Sequence, residues 1–371
     1  MSTEPIPVAF VSSHARDGGA ERHVERVIEA IDPRWVAALV SLEDGPLPHR
    51  AADLGYRTVV IETGHRHHDV VIAAMRLRRV LTAVRPRVVC ASGIKAAAVA
   101  GIATLGSAIP VVWLKVDFSL DGRTASLVAR RCAIVAGVSH AVLATFPKRL
   151  APRLRVVYNG VPDVRVDRRR GRTRVAQSFG EAPPQRIVGL VGRHDPSKGH
   201  KQLIESAPAI IARVPGTGFL LVGGAGQDSA YSRGLQVLAR KLGVEGAVRF
   251  HAHTEDVAEI MAGLDLLIHA SVRPPGYADT EGFPLVALES MLAGTPVVGY
   301  GNGGLPELVE TTGRIVPPGD REALADAVVE LLADDDLRTD LGARAQARVR
   351  SRFLLPASID ALEACLREAA G

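Results

Sequence analysis

Short runs of aliphatic and β-branched residues recur along this chain, and longer stretches with apolar positions three and four apart lie between them. In the first half the strand-like runs are "PVAFVSS" (7–13), "WVAALVSL" (35–42), "TVVIET" (58–63), "RVVCAS" (87–92) and "PVVWLK" (110–115). Helical periodicity fills segments such as 20–30 and 70–84. After position 185 the pattern restarts with "RIVGLVG" (186–192), "GFLLVGG" (218–224), "AVRFHA" (247–252), "LDLLIHA" (264–270), "TPVVGY" (295–300) and "GRIVPP" (313–318). A strand that is apolar at nearly every position has both faces covered, the condition of a parallel sheet between layers of helices. Two such series predict an α/β protein of two doubly wound, Rossmann-like domains. Sheets of this kind take ligands at the carboxyl ends of their strands, so two facing sheets would enclose a cleft.

The expected organisation is a first domain over 1–165, a linker over 166–184, a second domain over 185–350 and a terminal helix over 351–371. The linker assignment rests on six arginines within 165–174 followed by "GEAPP". Such a run is read as solvated surface, with a polyphosphate or membrane patch as the alternative. One charge-free stretch, 96–114, is 19 residues long and on length alone could span a bilayer. It is rich in Ala and Gly, and "GSAIP" interrupts it at 106–110, so a buried helix, a turn and a buried strand are expected instead.

The 371 residues are 47% hydrophobic and 23% charged, which is globular composition. A net charge of +5 suits an anionic ligand, while aromatics at 4% without interleaved basic residues argue against nucleic acid. Cys90, Cys132 and Cys365 are isolated, so neither a disulfide framework nor a zinc site is expected, and a reducing cytoplasm is the simplest compartment. The opening "MSTEPIPVAFVSS" lacks the basic region of a signal peptide.

Candidate chemistry concentrates in "EGFPLVALESMLAGTPVV" (281–298), where Glu281 and Glu289 stand eight residues apart in an apolar run. Burying a carboxylate costs several kcal/mol unless it is hydrogen-bonded. Pro284 is a good first-turn residue and Gly294 a good stop, which predicts a helix from about Pro284 to Ala293. The free N–H groups of Leu285 and Val286 would then form an anion site suited to a diphosphate. Glu281 falls on the approach loop and Glu289 on the second turn, so they do not form an acid–base dyad on one helix face. Each can instead accept two hydrogen bonds from a vicinal diol, or Glu289 can bind a basic side chain or backbone amide in the core.

Upstream, "GLVGRHDPSKGHKQLIESA" (189–207) presents Arg193 and Lys198 on the loop after a buried strand, where two cations could clamp a diphosphate. The order Lys-Gly and the spacing exclude a Walker A loop. Near the N-terminus, Gly18 and Gly19 open a helix after the first strand and permit close approach to an anion. "GHRHHD" (64–69) is read as a surface or acceptor-facing loop rather than a metal site, and no metal ligands are assigned. His251 and His253 share a strand face and are read as lining rather than ligands. "GGAGQDS" (223–229) has Ser229 where a dinucleotide fingerprint needs its third glycine, which argues against NAD.

Together "DGGAERHVERV", "VVYNGVP" (156–162), "GRHDPSKGHKQLI", "LLVGGAGQD" (220–228), "VRFHAHTEDVAEIMAGLDLLIHAS" (248–271) and "EGFPLVALESMLAGTPVVGYGNGGLPELV" (281–309) resemble the family-4 retaining glycosyltransferases. The E-x7-E pair combined with G-R-x-x-x-x-K-G carries most of that resemblance. It implies a GT-B fold and an NDP-sugar donor, most simply a UDP-hexose or UDP-N-acetylhexosamine, held by the second domain. By position, Glu289 would bind the donor ribose and Glu281 would face the hexose. Arg193 and Lys198 would bind the diphosphate, and Phe283, Pro284, Leu285 and Val286 would present the helix N-terminus. Gly19 would approach the phosphates, and the backbone around 251–253 would lie near the base. The implied reaction is metal-independent transfer with retention, with no cofactor beyond the donor substrate.

One position departs from the family. Where members often carry a histidine, this chain has Val116 between Lys115 and Asp117, which leaves acceptor-side chemistry open. Lys115 and Asp117 are read either as cleft-facing residues or as an ion pair at a strand end. The acceptor expected is a hydroxyl of a small molecule or a glycolipid, with peripheral membrane contact at most, and nothing in the sequence sets the oligomeric state. Two rivals share the architecture: a sugar-nucleotide epimerase, and a non-catalytic sugar-nucleotide-binding subunit.

Overall fold

The structure is a computed structural model of the chain that describes all residues except 1–3, 16–18, 65, 121, 225–228, 253, 255 and 274–280. Gly18, His65, His253 and the centre of the "GGAGQDS" segment therefore lie outside the described residues. The chain forms two contact-dense units: Met1–Gly160 with Leu355–Gly371, and Val161–Leu354.

Unit 1 holds seven parallel strands: β1 (Val8–Ser12), β2 (Val36–Ser41), β3 (Thr58–Val60), β4 (Val88–Ser92), β5 (Val111–Lys115), β6 (Ile134–Gly137) and β7 (Leu154–Val156). Their order is β3-β2-β1-β4-β5-β6-β7. Its helices are α1 (Gly19–Ala30), α2 (Pro46–Asp53), α3 (His67–Val84), α4 (Ile94–Ala103), α5 (Arg123–Ala129) and α6 (His140–Leu143). Strand alternation explains the unbroken apolar runs. Ala9, Val11, Val89, Ala91 and Trp113 enter one core, whereas Val8, Phe10, Val88, Cys90 and Val112 enter the other. Each strand thus divides its side chains between two helix layers, so no position is left for polar residues. The 96–114 stretch is α4, a turn and β5, and no helix of the described residues is long and apolar enough to cross a membrane.

Unit 2 holds α7 (Arg168–Gln177), β8 (Arg186–Val191), α8 (His200–Arg213), β9 (Thr217–Gly224), α9 (Ala230–Lys241), β10 (Val248–Ala252), α10 (Val257–Gly263), β11 (Leu266–His269) and α11 (Leu285–Leu292). It continues through β12 (Val297–Tyr300), α12 (Leu305–Val309), β13 (Arg314–Val316), α13 (Arg321–Ala333) and α14 (Asp335–Arg352). The six parallel strands run β10-β9-β8-β11-β12-β13. The last helix, α15 (Leu355–Ala370), packs in unit 1, where Leu362 and Leu366 are buried in the core it shares with α1.

Two features differ from the sequence pattern. Strands β6 and β7 are additional to the five read in the first half; β7 is a three-residue edge strand and β6 ends in Ala-Gly, so neither stands out as an apolar run. The arginine-rich segment is helical rather than a bare linker. Helix α7 lies so close to α10 that a Cβ on Gly171 would stand 2.3 Å from the Glu259 carbonyl oxygen. Three of its arginines pair with acids within unit 2: Arg170 with Glu259 at 3.1 Å, Arg172 with Asp265 at 2.7 Å and Arg174 with Asp256 at 2.7 Å.

The Lys115 position, read from the sequence as cleft-facing or as part of an ion pair, is buried at a strand end. Lys115 is 1% exposed at the end of β5, and its Nζ donates to the backbone carbonyl of Asp117 at 2.8 Å. The ammonium lies 5.4 Å from the Trp113 ring centroid and 5.8 Å from that of Phe146. The Asp117 carboxylate meanwhile accepts from Ser119 Oγ at 2.7 Å.

Candidate functional site

Chain order in the unit 2 sheet reverses between β8 and β11, and in open α/β sheets a crevice forms outside the carboxyl ends of the strands at such a point. The chain leaves β8 through Gly192 and turns over Asp195, which caps a short 3-10 helix (196–198) by accepting from the Ser197 N–H at 2.9 Å. Gly199 then takes φ 86°, a left-handed conformation, with so little room that a Cβ would lie 2.1 Å from the Ala270 carbonyl oxygen. The Val272 N–H donates to the Ser197 carbonyl at 2.8 Å. The loop bearing Arg193 and Lys198 is thereby tied to the end of β11.

The segment after β12 closes onto the same place. Asn302 Nδ2 donates to the Ser271 carbonyl at 2.8 Å, and the Gly304 N–H donates to the Glu281 carbonyl at 3.2 Å. Three strand ends, of β8, β11 and β12, are linked by these bonds around Lys198 and Glu281.

Lys198 Nζ hydrogen-bonds to Glu281 Oε1, and each side chain is 26% exposed. This contact supplies the partner that the sequence left open for one of the two acids. Burial pushes the Glu281 carboxyl up, but the charge of Lys198, then that of His269, and the more distant Arg193 outweigh it and hold the group below the ordinary carboxylate range. Glu281 is therefore ionised at neutral pH, which disfavours it as a general acid. Arg193 is exposed at the head of the loop. Asp195 feels both Arg193 and Lys198; they and its bonds to Ser197 overcome burial and lower its pKa.

Helix α11 begins one residue later than the sequence suggested, with Pro284 at the N-cap (φ −75°, ψ 112°). Proline has no N–H to lose and its fixed φ is tolerated there, while the N–H groups of Leu285, Val286 and Ala287 lie in the first turn, ahead of any intrahelical acceptor. Phe283 anchors this entry, 3% exposed with its ring 5.4 Å from that of Phe353. Glu289 is half-buried on the second turn. At the other end Gln346 donates to the Leu292 carbonyl of α11 at 2.7 Å, and Arg168 donates to the carbonyls just past the helix, Ala293 at 3.3 Å and Gly294 at 2.7 Å.

The structure brings Lys198 and Glu281 into contact, sets Arg193 on the same loop and places Leu285 and Val286 in the helix turn that follows. Gly19 opens α1 in unit 1. Two groups of residues escaped the sequence reading. His269, at the end of β11, is 8% exposed and close enough to Glu281 and Lys198 to be felt by both; burial, with Lys198, lowers its pKa despite the carboxylate. His194 and His200 flank the cation loop with ring centroids 4.8 Å apart, and His194 Nδ1 lies 2.7 Å from Ser232 Oγ. Burial is the main cause lowering His200 to about 3, so its imidazole is neutral. The only sequence signal for these was histidines bracketing a cationic loop and one closing an apolar strand.

Comparison with known proteins agrees with this architecture. Residues 172–348 match the profile of the family described as glycosyl transferases group 1. The N-acetyl-alpha-D-glucosaminyl L-malate synthase of Bacillus anthracis is 29% identical over 224 residues, covering 59% of this chain and 55% of that protein. A D-inositol 3-phosphate glycosyltransferase of Mycobacterium tuberculosis is 35% identical over 226 residues, covering 59% of this chain and 44% of that protein. The match thus spans about half the length of these relatives. Among solved structures, Anabaena HepE in complex with UDP superposes with a TM-score of 0.83 at 24% identity, covering 98% of this chain and 100% of that one. HepE is also solved with UDP-glucose. With its two parallel doubly wound sheets the chain has the GT-B fold, and over residues 172–348 it is similar to the glycosyl transferases group 1.

Proposed function

We propose that this chain is a retaining, metal-independent glycosyltransferase that moves a sugar from an NDP-sugar, most simply a UDP-hexose or UDP-N-acetylhexosamine, to a hydroxyl of a small-molecule or glycolipid acceptor. Unit 2 is the donor unit and unit 1 the acceptor unit. The observation that carries this reading is the Lys198–Glu281 contact at the carboxyl end of β8, with Arg193 on the same loop and α11 beginning four residues after Glu281. The UDP and UDP-glucose complexes of HepE support the donor class. Relatives named for L-malate and D-inositol 3-phosphate support a small hydroxyl-bearing acceptor.

In this scheme the bond between the sugar C1 and the diphosphate oxygen breaks as an acceptor oxygen bonds to C1 from the same face. The acceptor proton passes to the leaving phosphate oxygen, so C1 keeps its configuration. Charge that develops on the diphosphate is met by Arg193, Lys198 and the N–H groups of Leu285 and Val286, fixed groups that need no reorganisation at the moment of reaction. Removing one such donor costs about 10²–10³ in kcat. Glu281 accepts from a hexose hydroxyl, and Glu289 accepts from the ribose diol.

A donor screen by thermal shift tests the binding half, because a ligand at about 100 times its Kd stabilises the folded state by about 2.7 kcal/mol. No stabilisation by any UDP- or GDP-sugar would remove the donor assignment. NMR of the glycoside product tests the chemistry: an inverted anomer refutes retention. Free epimerised nucleotide sugar identifies an epimerase instead, and binding without turnover a non-catalytic subunit.

A further inference from the structure

The helix layer of unit 1 formed by α3, α4 and α5 carries charge and apolar exposure that sugar transfer leaves unused. Arg76, Arg78, Arg79, Lys95, Arg123 and Arg130 lie on or directly after these helices against the single acid Asp69, although the whole chain is only +5. Such asymmetry marks a surface that meets an anionic partner. Helices α3 and α5 pack on either side of α4, and all three cover one core. Most of the large hydrophobic side chains exposed among the described residues lie on this layer, including Val71, Ile72 and Met75 on α3, Leu105 after α4, and Leu120 and Leu127 beside or on α5.

Between α5 and residues 145–149 lies an open cavity of about 580 Å³ walled by Arg123, Arg130 and Arg149, with Leu127, Phe146 and Pro147 as its apolar part. The guanidiniums of these three arginines have no hydrogen-bond or ion-pair partner among the described residues, in contrast to Arg170, Arg172 and Arg174 of α7. Unpaired guanidiniums around an apolar floor suit an anion that carries a hydrocarbon body. Nucleic acid fits poorly, since the exposed apolar residues are aliphatic and Trp113 and Phe146 are buried. A second copy of the same face would bring like charge against like charge.

We propose that the α3–α4–α5 face of unit 1 docks on an anionic phospholipid surface, with a lipid phosphate seated among Arg123, Arg130 and Arg149. The basic side chains supply the attraction to the charged leaflet, and Leu127 with the α3 apolar residues reaches the boundary between headgroups and acyl chains. The contact is peripheral, because no helix of the described residues is long and apolar enough to cross. The proposal concerns unit 1 alone and stands whether or not the donor reading holds.

Vesicle flotation of the full chain tests it. The protein should float with phosphatidylglycerol-containing vesicles, not with pure phosphatidylcholine, and high salt should release it. The triple variant R123Q/R130Q/R149Q should lower the partition on the order of a hundredfold. Leu127→Glu should also lower it while leaving every guanidinium in place. A control that removes equal charge from unit 2, K201Q/R240Q/K241Q, should retain binding, and matched thermal melts establish that each variant is folded. Equal partition into neutral and anionic vesicles would overturn the proposal. So would a triple variant that binds like the parent, a control that loses as much, or self-association through this face in sedimentation.

Discussion

Replacing Glu281 by glutamine separates two roles that the Lys198–Glu281 contact joins. In the free protein Glu281 neutralises Lys198, and both side chains are only 26% exposed. A diphosphate arriving at Lys198 would compete with that carboxylate for the ammonium and would sit near it as a like charge. The amide side chain keeps the shape and a hydrogen-bonding oxygen but removes the repulsion. Two unit charges about 8 Å apart in an effective dielectric of about 20–40 interact by roughly 1–2 kcal/mol. UDP alone should therefore bind E281Q about five- to thirtyfold more tightly than the parent. Transfer should move the other way, because a charged acceptor for a sugar hydroxyl is worth about 1.5–3 kcal/mol, or roughly ten- to a hundredfold in rate.

Calorimetric titration with UDP and steady-state turnover of the UDP-sugar read the two halves separately. The expected result is a lower Kd for UDP with a lower kcat for transfer. UDP affinity that falls with the substitution would refute the reasoning, since Glu281 would then be holding Lys198 in place for the diphosphate rather than competing with it. Unchanged values in both assays would return Glu281 to a purely structural role.

Three further outcomes follow from neighbouring geometry. Gly199→Ala should destabilise unit 2 by about 2 kcal/mol or more, since a left-handed φ is costly for alanine and its Cβ would meet the Ala270 carbonyl; denaturant melts measure it. Arg168→Ala should cost about 1–2 kcal/mol by removing the donor to the carbonyls just past α11, yet leave UDP binding intact because that end of the helix is about 12 Å from the anion end; an equal loss of affinity would contradict this. Burial lowers His200 to about 3 and His23 to about 4, so each takes up a proton on unfolding; stability is complete above the unfolded pKa near 6.5 and should fall as pH drops from there toward 4, by up to about 1.4 kcal/mol per pH unit for each histidine. His200→Phe should flatten that slope in pH-dependent melts, and a slope unchanged by it would assign the effect elsewhere.

The fold was legible because β1, β4 and β5 bury alternate residues on opposite faces, which forces uninterrupted apolar runs. The arginines of α7 illustrate what a one-dimensional pattern hides. Their partners Asp256, Glu259 and Asp265 lie about ninety residues away, so a run that reads as solvated surface is a docked helix. His269 was hidden for the opposite reason, because a lone histidine closing an apolar strand looks like core until the Lys198 and Glu281 loops are brought beside it.

The two acids of 281–298 are the sharpest case. Their spacing placed one on a loop and one on a helix, and the structure keeps that division. Spacing held no information about Lys198, 83 residues upstream, whose ammonium now sits on Glu281. A carboxylate that already holds a cation sets how strongly that cation can pull on an incoming diphosphate. Glu281 is thus as much an electrostatic setting for Lys198 as a candidate sugar contact. Glu289, half-buried on the second turn of α11, remains the better candidate for donor binding alone. Glu289→Gln should therefore weaken UDP and UDP-sugar alike, the reverse of what E281Q does to UDP, and the same response from both variants would erase the distinction.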